Sequence, residues 1–175
     1  MKHTVIKKER LSQKASSIQP SGIRRFFDLA SKMDNIISLG VGEPDFVTPW
    51  NVREASISSL ERGFTAYTAN AGLPELRQAI SHYMEQRYRV HYNPEEEILV
   101  TVGASEAIDI GMRAILDPGD EVIIVEPTFV SYAPLVTLAG GVPIPVGTNA
   151  ENHFEVNPAD IEKVITEKTK AIMIC

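Results

Sequence analysis

Short apolar runs alternate with segments of helical periodicity from residue 98 to the end of the sequence. Such alternation is typical of a parallel sheet wrapped by helices, because a helix is the usual way to cross back between parallel strands. The run at 122–125 consists of Val and Ile alone, which suits a strand buried on both faces. The second half of the chain is therefore predicted to be α/β, with strands at 98–102, 121–125, 142–146 and 171–175.

Helices are predicted between these strands. Residues 105–116 carry apolar side chains nearly all round, which predicts a well-buried helix. Residues 129–139 predict a helix that Pro134 shortens or kinks. Asn157, which a proline follows, is placed to cap a helix that runs to about residue 167.

Helical patterns also dominate the first hundred residues. Residues 21–33 read as an amphipathic helix. Thr48 is placed to cap a helix that runs to about residue 62, and Pro74 opens another that runs to about residue 89. The face of this last helix that we expect to be buried comprises Leu76, Ala79, Ile80, Tyr83 and Met84.

Composition narrows the classes of function. A chain of 175 residues can form one sizeable domain, with or without an arm. The formal net charge of −6 gives no electrostatic reason to expect nucleic acid as a partner. Because Cys175 is the single cysteine and the histidines lack ligand spacing, we expect no metal centre. No apolar run approaches the roughly 20 residues that span a bilayer, and the first residues lack the apolar core of a signal peptide, so we expect a cytoplasmic protein with no membrane partner.

The sequence ends inside the predicted strand at 171–175. A buried parallel strand continues through a crossover into the rest of its sheet. A strand left at an apolar, unpaired edge is an aggregation hazard. We therefore expect the 175 residues to be part of a longer chain.

The best candidate for ligand chemistry is the sequence VGAS at residues 102–105, between a predicted strand and a predicted helix. Ligands of open α/β sheets bind beyond the carboxyl ends of the strands, where the N–H groups and dipole of a helix terminus attract anions. Glycine and serine also occur at such junctions for turning and capping alone, so both interpretations remain open at this point. The three-glycine dinucleotide fingerprint and the P-loop sequence are absent.

Four separated blocks together resemble one known family, the class I aminotransferases of pyridoxal 5′-phosphate (PLP) fold type I. The blocks are SLGVGEPDF at 38–46, YTANAGLPELR at 67–77, TVGASEA at 101–107 and DPGDEVIIVEPTFVSY at 117–132. They occur in the order and at the spacing of the family, and the similarity extends from about residue 20 to the end. The resemblance implies a mostly parallel sheet with helices on both faces, part of the fold type I large domain, preceded by an N-terminal helical arm.

The resemblance also implies roles for individual residues. Ala104 and Ser105 fall where family members hold the cofactor phosphate with backbone amides and a hydroxyl. Phe129 falls where an aromatic ring stacks on the pyridine. Tyr67 matches a tyrosine that reaches the phosphate of the neighbouring subunit, which implies a homodimer with shared active sites. Gly42 lies in the loop that closes over the substrate carboxylate.

Domain organisation follows from the same resemblance. Residues 1–47 would form the N-terminal arm and the substrate-covering loop of the small domain, and residues 48–175 the first part of the PLP-binding large domain. The lysine that carries the cofactor in this family lies beyond the position where this chain ends, as does the arginine that binds the substrate carboxylate. We therefore expect no catalytic residue in this chain, and no activity from these residues alone.

The complete protein is expected to move an amino group between an amino acid and a 2-oxo acid. Other PLP enzymes of fold type I, such as carbon–sulfur lyases, share this architecture and form one alternative. Release of pyruvate and ammonia without an oxo-acid acceptor would distinguish them. A non-enzymatic α/β binding domain forms another alternative, which predicts no cofactor absorbance.

Overall fold

Parallel strands and the helices that connect them make up one of two units in this protein. The computed structural model describes residues 10–19, 22, 26, 29, 32–33, 37, 42 and 44–175. One unit comprises residues 1–20 and 101–175, and the other comprises residues 21–100. The helices within the described residues are α1 (Gln13–Ser17), α2 (Trp50–Glu61), α3 (Pro74–Tyr88), α4 (Ala104–Ile115), α5 (Tyr132–Ala139) and α6 (Pro158–Glu162), and the strands are β1 (Glu121–Glu126), β2 (Val142–Gly147) and β3 (Thr169–Met173).

The sheet has the strand order β2-β1-β3, and its pairings are parallel. On the central strand β1, Ile123 lies opposite Ile144 on one side and Ile172 on the other. Residues 122–125 of this strand are buried, as their uninterrupted Val and Ile sequence predicted. The parallel sheet confirms the predicted α/β class.

A cluster of four buried side chains forms the core on one side of β1. Leu116, Val122, Ile124 and Val136 belong to it, so the segments after α4 and within α5 both pack on the sheet. Burial of one such side chain contributes about 1.5–3 kcal/mol. Gly141 permits this close approach, because a Cβ there would lie 2.9 Å from Leu116 Cδ1 and 3.0 Å from Val136 Cγ1.

The strand predicted at 98–102 is wrong, since these residues are not part of the sheet. The Val100 N–H donates to the carbonyl oxygen of Ala71 at 3.0 Å, within the unit of residues 21–100. An apolar run indicates burial, whereas a strand also requires a ladder partner. The other three predicted strands are confirmed within two residues at each end.

Helix α4 has the predicted bounds within one residue, but the prediction that it is well buried is wrong. No residue of α4 is buried. Its sequence carries Glu106, Asp109 and Arg113 along one face, and Arg113 Nε donates to Asp109 Oδ2 at 2.9 Å. Met112 lies beside this polar stripe and packs against the core.

Helix α5 begins at Tyr132, three residues after the predicted start. Pro134 lies in its first turn, where a helix leaves N–H groups without partners and proline costs little. The Tyr132 N–H donates to the carbonyl oxygen of Phe129 at 3.2 Å, so the residues before α5 form a turn instead of a helix. The predicted shortening at the proline is confirmed.

Helix α6 begins as predicted and ends early. The side chain of Asn157 accepts a hydrogen bond from the Ala159 N–H at 3.0 Å, which confirms the predicted cap. The helix stops five residues before the predicted end near residue 167. The Thr166 N–H instead donates to Thr169 Oγ1 at 2.9 Å, because a nearby hydroxyl competes with the helical pattern of hydrogen bonds.

The unit of residues 21–100 contains α2 and α3. The predicted helix at 21–33 lies mainly outside the described residues. Thr48 does not cap α2, because the cap position falls on Pro49, which makes no side-chain hydrogen bond. Pro74 occupies the first position of α3, as predicted.

The buried face of α3 differs from the prediction. Leu76 and Tyr83 are exposed, whereas Arg77 and Ser81 are buried. Arg77 Nη1 donates to the carbonyl oxygens of Pro94 and Glu95 at 2.9 and 3.3 Å. Apolar periodicity could not identify this face, because the residues that it buries are polar and donate hydrogen bonds to a loop distant in sequence, from Arg77 Nη1 and from the Ser81 hydroxyl. Among the described residues, Arg77 Nε has no hydrogen-bond partner.

Candidate functional site

The amino end of α4 is open and has no side chain capping it. Gly103 occupies the cap position with φ 85° and ψ 168°, a conformation that glycine adopts readily. Its N–H donates to the carbonyl oxygen of Thr101 at 2.9 Å, so the chain turns tightly just before the helix. No other atom lies within 4 Å of the position that a Cβ of Gly103 would occupy.

The first residues of α4 carry the donors that an anion requires. Ala104 and Ser105 are exposed, and the first N–H groups of any α-helix lack partners within the helix. The Glu106 carboxylate accepts from the Val102 N–H, so it satisfies a donor before the helix instead of those in its first turn. The terminus therefore fits a phosphate group, which would accept from these N–H groups and from the Ser105 hydroxyl.

The carboxyl edge of the sheet is the side on which we expect this terminus to lie. A short segment, residues 116–120, joins α4 to β1. A helix that precedes a parallel strand through so short a connection runs back along the sheet, and its amino end then lies near the carboxyl ends of the strands. This is the edge at which open α/β sheets bind ligands.

Phe129 lies in the turn that follows β1, at the same edge. Its side chain is 51% exposed, which suits a ring that contacts a ligand better than a core ring. The ring stands edge-to-face against Tyr132, with centroids 5.8 Å apart and an interplanar angle of 74°. The Tyr132 hydroxyl donates to Cys175 Sγ at 3.5 Å, and this hydrogen bond raises the pKa of Tyr132 above its usual value.

Tyr67 and Gly42 belong to the other unit. Tyr67 is fully exposed and lines an apolar recess together with Phe64 and Leu73. Gly42 is exposed, with open space where a side chain would stand. Both residues are thus accessible at the surface.

Neither a metal cluster nor a membrane span is found in the described part of the chain. Within residues 10–19 and 44–175 and the isolated described positions between them, no group of three His, Cys, Asp or Glu side chains is placed to hold a metal ion. The helices that the structure describes are too short or too polar to cross a membrane.

Two residues near the candidate site were not singled out by sequence reasoning. The Glu106 carboxylate accepts a hydrogen bond from the Val102 N–H and so stabilises the turn before α4. A glutamate three residues after the cap position is a known sequence signal for a side chain that bonds back to the start of a helix. Tyr132 contacts Phe129, and the signal for it was the spacing of two aromatic residues three apart around a predicted helix start.

Comparison with known proteins agrees over nearly the whole chain. A family model described as aminotransferase class I and II matches residues 34–175. The chain is 61% identical over 165 residues to "Putative aminotransferase YugH" of Bacillus subtilis and 46% identical over 164 residues to an aspartate aminotransferase of Pyrococcus abyssi. These alignments cover 94% of this chain but 43% and 42% of the two proteins.

Solved structures agree as well. An aspartate aminotransferase from Thermus thermophilus, crystallised with maleate, is 39% identical with a TM-score of 0.86, over 94% of this chain and 44% of that chain. This chain therefore spans less than half the length of the proteins it matches. With its parallel α/β sheet and a family match over most of its residues, this chain belongs to the class I and II aminotransferases, a PLP-dependent family, and forms part of the fold type I large domain.

Proposed function

We propose that this chain is the amino-terminal part of an aminotransferase that moves an amino group between an amino acid and a 2-oxo acid, with PLP as cofactor. The observation that carries the proposal is the open amino end of α4, within a chain that matches the family over residues 34–175. Bound PLP supplies an electron sink for bonds broken at the substrate α-carbon. The residues of this chain bind and orient that cofactor.

Ala104 and Ser105 hold the cofactor phosphate in this proposal. The backbone N–H groups donate to the phosphate oxygens, and the Ser105 hydroxyl adds a further donor. The open cap at Gly103 supports this role, since no side chain competes for the same donors. The helix dipole favours the negative charge of the phosphate at this end.

Phe129 stacks on the pyridine ring of the cofactor in this proposal. Its half-exposed side chain at the carboxyl edge of the sheet supports the role. An offset stack contributes about 0.5–1.5 kcal/mol beyond the burial of the ring. The stack would also fix the plane of the pyridine relative to the phosphate anchor.

The proposal extends to the assembly and to the remaining residues. Two copies form a homodimer in which Tyr67 of one protomer reaches the phosphate held by its partner, a role that its full exposure permits. Gly42 lies in the loop that covers the substrate carboxylate. Residues 1–47 contribute to the small domain and residues 48–175 to the large domain. The protein acts in the cytoplasm in amino acid metabolism.

Replacement of Ser105 by Ala tests the phosphate site. In the full-length protein, we expect Ser105→Ala to raise the Kd for pyridoxamine 5′-phosphate about tenfold, because a hydrogen bond to a charged group contributes about 1.5–3 kcal/mol. This ligand carries the phosphate and the pyridine ring but no aldehyde, so its binding, measured by fluorescence titration, involves no covalent bond, and Ser105→Ala removes one of the contacts proposed for its phosphate. The exposed Ser56→Ala on α2 is the matched control and should leave the Kd unchanged. An unaltered Kd for Ser105→Ala would contradict the assignment.

An assay of the full-length protein tests the reaction. We expect an amino acid to be converted to its oxo acid in strict stoichiometry with an added 2-oxo acid acceptor. Production of pyruvate and ammonia without an acceptor would instead indicate a lyase. A protein that shows no cofactor absorbance would contradict both enzyme functions.

A further inference from the structure

Phe129 lacks the support of regular secondary structure. It lies after the end of β1 and before the start of α5, and half of its side chain is exposed. A ring in such a turn can occupy more than one rotamer unless a neighbour restricts it. The orientation of a stacking ring therefore depends on the residue that packs against it.

Tyr132 is that neighbour. The edge-to-face geometry, at 5.8 Å between centroids and 74° between planes, lies in the favourable range for an aromatic pair. The backbone reinforces the contact, because the Tyr132 N–H donates to the carbonyl oxygen of Phe129 at 3.2 Å. Both the ring and the backbone of Phe129 are thus tied to the same residue.

Tyr132 is itself anchored at two further points. Its half-buried side chain packs against the core cluster of Leu116, Val122, Ile124 and Val136. Its hydroxyl lies 3.5 Å from Cys175 Sγ, just beyond the end of β3. The residue therefore links the turn after β1 to the core and to the neighbouring strand.

We propose that Tyr132 is a positioning residue that sets the orientation of the Phe129 ring for stacking on the cofactor. This inference rests on the proposed function of Phe129 and adds a residue that does not itself touch the cofactor. The tyrosine ring packs against the phenylalanine ring and restricts its orientation. The core cluster and Cys175, just beyond the end of β3, hold the tyrosine in place. Without the Tyr132 ring, Phe129 is still present, but its ring adopts a wrong orientation or several orientations.

The test compares three variants of the full-length protein. Tyr132→Leu removes the ring that packs against Phe129. We expect it to raise the Kd for pyridoxamine 5′-phosphate about threefold to tenfold, because this is the range expected for loss of one aromatic contact. We also expect a weaker visible circular dichroism band per bound PLP, because that band depends on how the cofactor ring is held. Tyr132→Phe keeps the ring and should retain both properties.

The matched control is Tyr88→Leu on α3. Tyr88 stands edge-to-face to Tyr83, with centroids 6.1 Å apart and planes at 75°, and neither residue lies in the turn after β1. This variant loses an aromatic pair of the same geometry. It should leave the Kd and the dichroism band unchanged.

A double-mutant cycle separates positioning from general loss of stability. On a Phe129→Leu background, Tyr132→Leu should change the Kd no further, because the ring that it orients is already absent. Additive effects, or an unchanged band in Tyr132→Leu, would overturn the inference, as would equal loss in Tyr132→Phe. If the wild-type protein binds no cofactor, the proposed function itself fails, an outcome distinct from every result of the variants.

Discussion

Gly72 is a residue at which both conformation and space demand glycine. Its φ is 100°, and a Cβ there would lie 2.6 Å from Val100 Cβ. We expect Gly72→Ala to lower the free energy of unfolding by about 2–4 kcal/mol, because the left-handed conformation and the clash both oppose the added methyl group. Urea unfolding of the full-length protein measures this change.

Gly119 is the matched control for this prediction. Its φ of 95° is similar, but no atom lies within 4 Å of its would-be Cβ. Gly119→Ala should therefore lower the free energy of unfolding only by the cost of the left-handed backbone conformation, about 1–2 kcal/mol. An equal loss of unfolding free energy at the two positions would show that Val100 moves to accommodate the added methyl group.

Residue-scale sequence signals predicted the cap at Asn157 but not the cap of α2, where Pro49 and not Thr48 occupies the cap position. Asn157 was predicted as a cap and is one, because its side chain bonds to an N–H only two residues away. The burial of Arg77 gave no sequence signal, since its partners are the carbonyl oxygens of Pro94 and Glu95, 17 and 18 residues away. A local hydrogen bond such as that of Asn157 can be predicted from the sequence, whereas the long-range bonds of Arg77 require the fold.

At the scale of elements, α3 holds the segment 92–95 through its two buried polar side chains, since Arg77 donates to the carbonyl oxygens of Pro94 and Glu95 and the Ser81 hydroxyl donates to that of Tyr92. Arg77→Met would leave the two carbonyl oxygens that it binds without a donor. We expect the free energy of unfolding to fall by about 2–3 kcal/mol, because hydrogen bonds from a charged group contribute about 1.5–3 kcal/mol and the side-chain volume is nearly kept. Hydrogen exchange of the amides at 92–97 should accelerate in parallel.

Arg87→Met on the same helix is the control. Arg87 is exposed in the last turn of α3, so its replacement should change stability by less than about 0.5 kcal/mol. If both variants are equally stable, the bonds from Arg77 contribute nothing beyond those that water would make.

Element boundaries illustrate the limit of local signals. The strand at 98–102 was predicted from its apolar residues, yet Val100 bonds to Ala71 outside any sheet of the described residues. Helix α6 ends earlier than predicted because the hydroxyl of Thr169 accepts a hydrogen bond from the Thr166 N–H. In both cases the deciding partner was a residue that periodicity does not consider.

At the scale of the whole molecule, cofactor binding should stabilise the native state. At a pyridoxamine 5′-phosphate concentration of 100 times its Kd, we expect the free energy of unfolding of the cofactor-free full-length protein to rise by about 2.7 kcal/mol. Pyridoxamine without the phosphate, at the same concentration, should give a smaller rise, since the α4 terminus would lose its ligand. Thermal or urea unfolding measures both, and equal shifts would show that the phosphate contributes no binding energy.

The sequence by itself determined the α/β class, the three parallel strands and the position of the open turn before α4. These features follow from periodicity, from runs of Val and Ile and from glycine chemistry, all of which act between near neighbours. The family also follows from the sequence, since four blocks carry its pattern and the match covers residues 34–175.

The tertiary structure alone decided which polar groups are buried and which residue the Tyr132 hydroxyl reaches. Arg77 is buried because a distant loop offers carbonyl oxygens to it, and Tyr132 meets Cys175 because β1 and β3 are neighbours in the sheet. These contacts join residues that lie far apart along the chain, whereas the contact between Tyr132 and Phe129 is local. Sequence patterns describe which residues could face a core, whereas only the folded chain brings their partners within bonding distance.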